Sequence, residues 1–166
     1  MTDLTSAPVP PLDPSDHVRG APGAPLVIVY ADLTCPRCAV AAVRLREAPV
    51  RTCFRHLALA SRHRRAVPLA IAAEAAARQD AFWAFHDAVF ADQGRLDDPH
   101  VWEHCATLGL DLDRFEADRR DPLLAERVAA DVRGSLRAGA ATTPACVVSG
   151  VLHQGVPDAA LLAGAA

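Results

Sequence analysis

The sequence predicts an α/β fold with a long helical insertion, and three observations carry that reading. The apolar run Leu26–Ala31 leads directly into Cys35-Pro36-Arg37-Cys38. A helix and a second strand follow, completing a βαβ unit that is right-handed by default. A helical tract from about 62 to 138 then precedes a late strand pair. A parallel crossover needs only about a dozen residues, so the tract reads as an inserted subdomain.

The elements follow in order. Residues 1–15 are Pro-rich and read as an extended or disordered leader before a domain spanning 16–166. Leu26–Ala31 is uninterrupted by polar residues, as in a strand buried on both faces. Pro36 suits the first turn of a helix because its missing N–H would be unpaired there anyway. That helix runs to about Glu47, and Val50–Leu59 reads as the next strand. Val67–Gln79 is an alanine-rich helix. Asp80 is a candidate cap for the next helix, whose Phe82, Phe85, His86, Val89 and Phe90 share one face.

Asp98-Pro99 starts a short helix that Gly109 stops, and Asp111 caps another. Asp121-Pro122 opens a longer helix with Leu124, Val128, Val132 and Leu136 in an i+4 ladder, and Gly139 follows its end. Pro144–Ser149 and Val151–Gln154 flank Gly150, the pattern of a tight hairpin. Pro157–Ala163 is a short terminal helix.

Composition narrows the function. The chain has 166 residues, enough for one domain with a sizeable core. Its net charge of −3 gives no reason to expect nucleic acid or an anionic membrane as partner. No apolar run reaches the ~18–20 residues of a membrane span. Residues 1–14 have neither the basic nor the apolar region of a secretory signal, so a cytoplasmic location is expected. Every Lys/Arg-type cation is an arginine, which reads as a compositional bias. Five cysteines suit one active pair plus three reduced thiols better than a structural disulfide framework.

The chemistry lies in Cys35 and Cys38. Cys35 is the expected N-cap, its sulfur facing the helix's free N–H groups and the positive end of the dipole. A thiol there loses its proton more easily, and the thiolate is the nucleophile. Cys38, one turn on, is placed to close the disulfide and release whatever Cys35 has attacked. Arg37 opposes the dipole at a cost of about 0.3–1 kcal/mol, which makes sense if it stabilises a neighbouring thiolate. Cys53, Cys105 and Cys146 read as small buried hydrophobes, although Cys146 shares a strand face with Pro144.

One CxxC with no second ligand pair argues against zinc. His86 reads as a packed histidine and His56 as the end of a strand. Arg62-His63-Arg64-Arg65 reads as a solvated loop.

Several stretches resemble one family throughout. These are Asp16-His17-Val18-Arg19-Gly20, Tyr30–Cys38, Phe54-Arg55-His56, Phe82-Trp83-Ala84-Phe85-His86, Leu108-Gly109-Leu110-Asp111 with Arg114-Phe115, and Thr143-Pro144 before Val147-Val148-Ser149-Gly150. They are similar to the DsbA-like thiol:disulfide oxidoreductases, a thioredoxin-fold family with an inserted helical subdomain. The likeness extends to the soluble bacterial branch, including thioredoxin-like domains fused to sodium/proton antiporters.

The resemblance implies that Cys35 attacks, that Cys38 resolves, and that Pro144 is a cis-proline facing the pair. Thr143 would then offer its backbone to an extended substrate, a form of β-augmentation. Val29 departs from the pattern, because many relatives carry a buried acid there. The family dipeptide also varies, and here it is Pro36-Arg37.

The expected function is therefore that of a protein-disulfide oxidoreductase, monomeric or weakly dimeric, with no bound cofactor. It would act on protein or peptide thiols and disulfides, with an unidentified redox partner. Two alternatives stay open: a transferase or isomerase using a low-molecular-weight thiol, and a non-catalytic peptide-binding module.

Overall fold

The computed structural model describes residues 8–165. Five strands form one sheet in the order β1-β3-β2-β4-β5. They are β1 (His17–Arg19), β2 (Leu26–Ala31), β3 (Arg51–His56), β4 (Ala145–Val148) and β5 (Val151–Gln154). β2 and β3 run parallel, as a helical crossover allows, and the other pairings are antiparallel. The crossover is α1 (Pro36–Glu47). Between β3 and β4 lie α2 (Ala66–Ala77), α3 (Phe82–Ala91), α4 (Asp98–Thr107), α5 (Leu112–Asp118) and α6 (Pro122–Arg137). α7 (Ala159–Ala163) ends the chain.

The central strand explains its own sequence. Alternate residues of a strand face opposite sides, and both sides of β2 are buried. Val27, Val29 and Ala31 join Cys38, Leu45, Phe54, Phe85 and Cys146 in the larger core. Ile28 and Tyr30 join Cys53, Leu57, Ala145 and Val147 in the core of the other face. The unbroken apolar run is therefore what this position demands.

Most helix boundaries fall where capping chemistry places them. Asp97, Asp111, Asp121 and Asp158 each accept a backbone N–H in the first turn of the helix they cap. Ser149 and Gly150 both have positive φ, 48° and 78°, the two-residue turn that matches the twist of a hairpin.

The structure departs from the sequence expectations at several points. Asp80 does not cap α3: its φ is 57°, and Ala81 holds the N-cap position without a side-chain bond. Asp80 instead turns the chain off α2, with the Ala81 N–H donating to the Ala76 carbonyl. Aspartate is among the residues that tolerate this backbone region. The i+4 ladder of α6 also fails at its end, because Leu136 is exposed. Each i+4 step drifts by about 40° on a 3.6-residue helix, so the buried face moves from Leu124 and Val128 to Ser135.

The second strand is shorter than 50–59, closing at His56. β1 was not anticipated as a strand. It lies on the sheet edge, pairing His17, Val18 and Arg19 with Phe54, Cys53 and Thr52.

The expected leader divides. Residues 1–7 lie outside the described residues. Residues 8–15 have no regular structure but are held against the domain. Arg55 donates to the Pro10 and Pro11 carbonyls and to the Asp16 carboxylate. Arg127 donates to the Ser15 carbonyl and hydroxyl.

Candidate active site

A buried polar knot ties the insertion to the sheet. Glu74 of α2 is almost fully buried, and its Oε1 accepts from His17 Nε2 at 2.7 Å and His56 Nε2 at 2.9 Å. Its Oε2 accepts from Arg127 Nε at 2.8 Å. Burial works to raise the Glu74 pKa, but the two histidine hydrogen bonds outweigh it and hold the carboxyl below its ordinary range. His17 also stacks on Phe82, with ring centroids 3.5 Å apart. His56 is thus committed to this knot, which settles its role as structural. His86 is buried with Nδ1 2.7 Å from Asp87 Oδ1, and burial lowers its pKa. Both histidines belong to the scaffold.

The cysteine pair sits at the end of β2. Pro36 occupies the first turn of α1 and Cys35 is its N-cap, with extended backbone at φ −94° and ψ 115°. No side-chain cap hydrogen bond is made at this end, the Cys35 thiol included. Its pKa falls to about 5, first because the Cys38 thiol donates a hydrogen bond to it. The Thr143 side chain and the N–H groups of Cys38 and Arg37 lower it further, against the cost of burial. At pH 7 such a group is predominantly thiolate.

Cys38 behaves oppositely. It is 1% exposed, and burial drives its pKa far upward, the hydrogen bond it gives to Cys35 adding to the rise. Its sulfur accepts from the Asp32 N–H at 3.5 Å. The two thiols are unbonded. One is accessible with a depressed pKa, the other buried with a raised one, so the two differ sharply in nucleophilic readiness.

The Thr143–Pro144 loop closes the other side. The Thr143–Pro144 peptide bond is cis, and the Cys35 Sγ lies 3.6 Å from the Thr143 carbonyl oxygen. Gln154 holds the approach to this loop by accepting from the Ala141 and Thr142 N–H groups. Pro144 is buried while Thr143 is half-buried. Cys35, Thr143, Thr142 and Arg37 line a groove of about 310 Å³ with Asp32, Arg62 and His63.

Arg37 takes a different position from the one its sequence suggested. Its side chain is exposed, and its Nη2 lies 3.1 Å from where a Cβ on Gly155 would stand. Its backbone N–H, and not its guanidinium, is among the causes that depress the Cys35 pKa. Replacing Arg37 with alanine is therefore expected to move that pKa by under about 0.7 unit, since exposed charges contribute about 0.2–1 kcal/mol. Alkylation rates across pH check this; a shift of two units would restore the guanidinium as the controlling charge.

Asp32, Arg62 and His63 were not picked out as groove residues. Asp32 is buried, and its Oδ1 accepts from the Thr34 N–H and hydroxyl at 2.8 and 2.7 Å. Its position three residues before Cys35 was the one available signal. Cys146 pairs in register with Val29 and shares the core that holds Cys38. Burial pushes its thiol up to about 12, which fits a core residue. Cys53 and Cys105 are likewise buried and pushed up to about 12. Among the described residues no cluster has the make-up of a metal site.

A low-pKa thiol capping a helix, a buried partner one turn on and a facing Thr-Pro loop define a redox site of the thioredoxin-like kind. The thioredoxin family profile matches residues 12–162, and the chain belongs to that family. It is 41% identical over 152 residues to the Na(+)/H(+) antiporter NhaA 3 of Salinispora tropica, covering 87% of this chain. The chain spans only 23% of that relative's length.

Among solved structures it resembles a thioredoxin-like oxidoreductase from Silicibacter pomeroyi, with a TM-score of 0.82 and 26% identity. That match covers 92% of this chain and 91% of the other. DsbA2 of Pseudomonas aeruginosa matches with a TM-score of 0.73 and 28% identity, over 93% and 94% of the two chains. The fold is thus DsbA-like, with the helices α2 to α6 inserted in the chain between β3 and β4 of one continuous sheet. No described helix is long and apolar enough to cross a membrane.

Proposed function

We propose that the chain exchanges disulfides with protein or peptide substrates through Cys35 and Cys38. The observation that carries this reading is the split between the two thiols, one near pKa 5 and half-exposed, the other buried and protonated. In the oxidising direction, a substrate thiolate attacks the Cys35 sulfur of the Cys35–Cys38 disulfide. Cys38 leaves with the electron pair and takes up a proton. A second substrate thiolate then attacks the substrate sulfur of the mixed disulfide and expels Cys35 as its stable thiolate. Two electrons pass to the pair, and the substrate gains one disulfide.

Stabilising the Cys35 thiolate stabilises the reduced protein and makes the pair more oxidising. A transferase using a low-molecular-weight thiol has no need of a buried resolving thiol hydrogen-bonded to the nucleophile, which favours exchange over that alternative. Three further buried thiols suit a reducing compartment, and we propose the cytoplasm. The test is oxidation of a reduced two-cysteine peptide by the oxidised protein. Stoichiometric peptide disulfide is expected from the wild type and none from Cys35→Ser. Peptide binding without oxidation would instead indicate a binding module.

Reduction should be the weaker direction. Val29 is buried in the core that holds Cys38, and the two line one small void, with no carboxylate at position 29 to take the Cys38 proton. The nearby Asp32 charge helps hold that proton in place. Val29→Glu is expected to speed insulin reduction several-fold. A folded variant with no gain, or a wild type already matching thioredoxin, would contradict this.

A further inference from the structure

The basic run after β3 is more than a solvated loop, because two of its members line the Cys35 groove. Arg62 and His63 reach it through a tight turn in which both their N–H groups donate to the Leu59 carbonyl. Arg37 lines the same groove from the start of α1, its guanidinium lying over Gly155. Neither Arg37 nor Arg62 makes a side-chain hydrogen bond or ion pair among the described residues. Arg46, Arg51, Arg64, Arg133 and Arg137 are likewise without such a partner among the described residues, but of the arginines only Arg37 and Arg62 line this groove. Arg19, Arg55, Arg65, Arg78, Arg119 and Arg127 are paired with carboxylates.

The acid of the groove, Asp32, is buried and its Oδ1 is engaged by Thr34, whereas both arginines are exposed at the rim. The Thr143 N–H has no partner among the described residues. It leaves a backbone donor free for an extended chain beside the nucleophile.

We propose that Arg37 and Arg62 select substrate cysteines with carboxylate residues next to them in an extended peptide. This inference rests on exchange at Cys35 as proposed above. An acidic peptide approaching a thiolate is ordinarily repelled. Two unpaired guanidiniums entering from separate segments reverse that sign, because charges lining a cleft focus potential on whatever enters it. A planar guanidinium also matches a carboxylate's two oxygens.

The test uses reduced wild-type protein and three short peptides with one cysteine each, flanked by glutamate, alanine or arginine. Each cysteine carries an uncharged 2-pyridyl disulfide. The Cys35 thiolate attacks the peptide sulfur, forming the Cys35–peptide bond. Pyridine-2-thione leaves with the electron pair, takes a proton from water and is followed by absorbance. Cys38 then gives up its proton, attacks Cys35 and frees the peptide thiolate. The thiolate of 2-mercaptoethanol, an anion without a rim, serves as reference and should react faster with the arginine peptide.

The wild type is expected to reverse that order, favouring glutamate over arginine by about tenfold at low salt. The preference should fade as salt screens it. Arg37→Ala with Arg62→Ala should return the order to that of 2-mercaptoethanol when rates are divided by those for the alanine peptide. Arg62→Lys alone should keep the preference. A wild type that follows 2-mercaptoethanol overturns the proposal, as does a glutamate preference that survives in the double variant. Exchange with the alanine peptide but no charge preference overturns this inference alone. No exchange with any peptide overturns the reading of the site as well.

Discussion

In the reducing direction, a Cys38→Ala protein is expected to stall as a mixed disulfide with a disulfide substrate, losing about a thousandfold or more in turnover. Cys35 would still attack, but no thiol would stand behind it to expel the substrate. The substitution should also raise the Cys35 pKa, because the hydrogen bond from Cys38 is the foremost cause of its depression. Non-reducing electrophoresis and intact mass would show the covalent adduct, and alkylation across pH would show the shift. Cys35→Ser should form no adduct at all. Undiminished disulfide reduction by a Cys38→Ala protein would mean that Cys38 does not resolve the intermediate and is a packing residue.

The largest effect on stability is expected from Glu74→Ala. Breaking a buried charged cluster by removing one partner costs about 3–5 kcal/mol, because the remaining groups stay buried and unpaired. Here His17 and His56 would lose their shared acceptor, and Arg127 would keep only its bonds to Ser15. The knot also gives the fold a pH signature. The Glu74 pKa lies below its ordinary 4.5 in the folded state. An unfolded chain therefore takes up the proton first as pH falls. The stabilisation is fully present above pH 4.5 and fades below it, through the folded pKa. Urea unfolding at pH 7 and below pH 4 should show the wild-type advantage over Glu74→Gln shrinking in acid. An advantage independent of pH would assign the effect to shape and not to charge.

The parts of the fold legible in the sequence were those fixed by neighbours along the chain. Leu26–Ala31, the Pro36 helix start, the Asp111 and Asp121 caps and the Ser149-Gly150 turn each depend on residues within a few positions. The pairing of Cys35 with Cys38 is local in the same sense, one helical turn apart. What was not legible depends on distant segments meeting. β1 has three residues and no clear alternation, so only its register against β3 makes it a strand.

Glu74 sits in an alanine-rich helix and looks like a solvated acid until β1 and β3 bring His17 and His56 to it. Arg62 and His63 reach the groove through a turn that periodicity does not encode. Arg37 misled for the opposite reason. Its nearness in sequence suggested a direct charge on the thiolate, yet the side chain lies over Gly155 while the backbone N–H does the stabilising. Asp80 was a plausible cap by composition, but the chain needed its left-handed backbone more than its carboxylate.

The proposed exchange requires one thiol to be ionised at neutral pH while its partner is not. The direct measurement is iodoacetamide alkylation of the fully reduced protein from pH 3 to 10, with each modified cysteine mapped by mass. Cys35 should react first, with a rate that rises through an inflection near pH 5 and is flat by pH 7. Cys38 should remain unmodified across the range. A Cys35 inflection at the free-thiol value of about 8.5, or modification of Cys38 ahead of Cys35, would contradict the assignment.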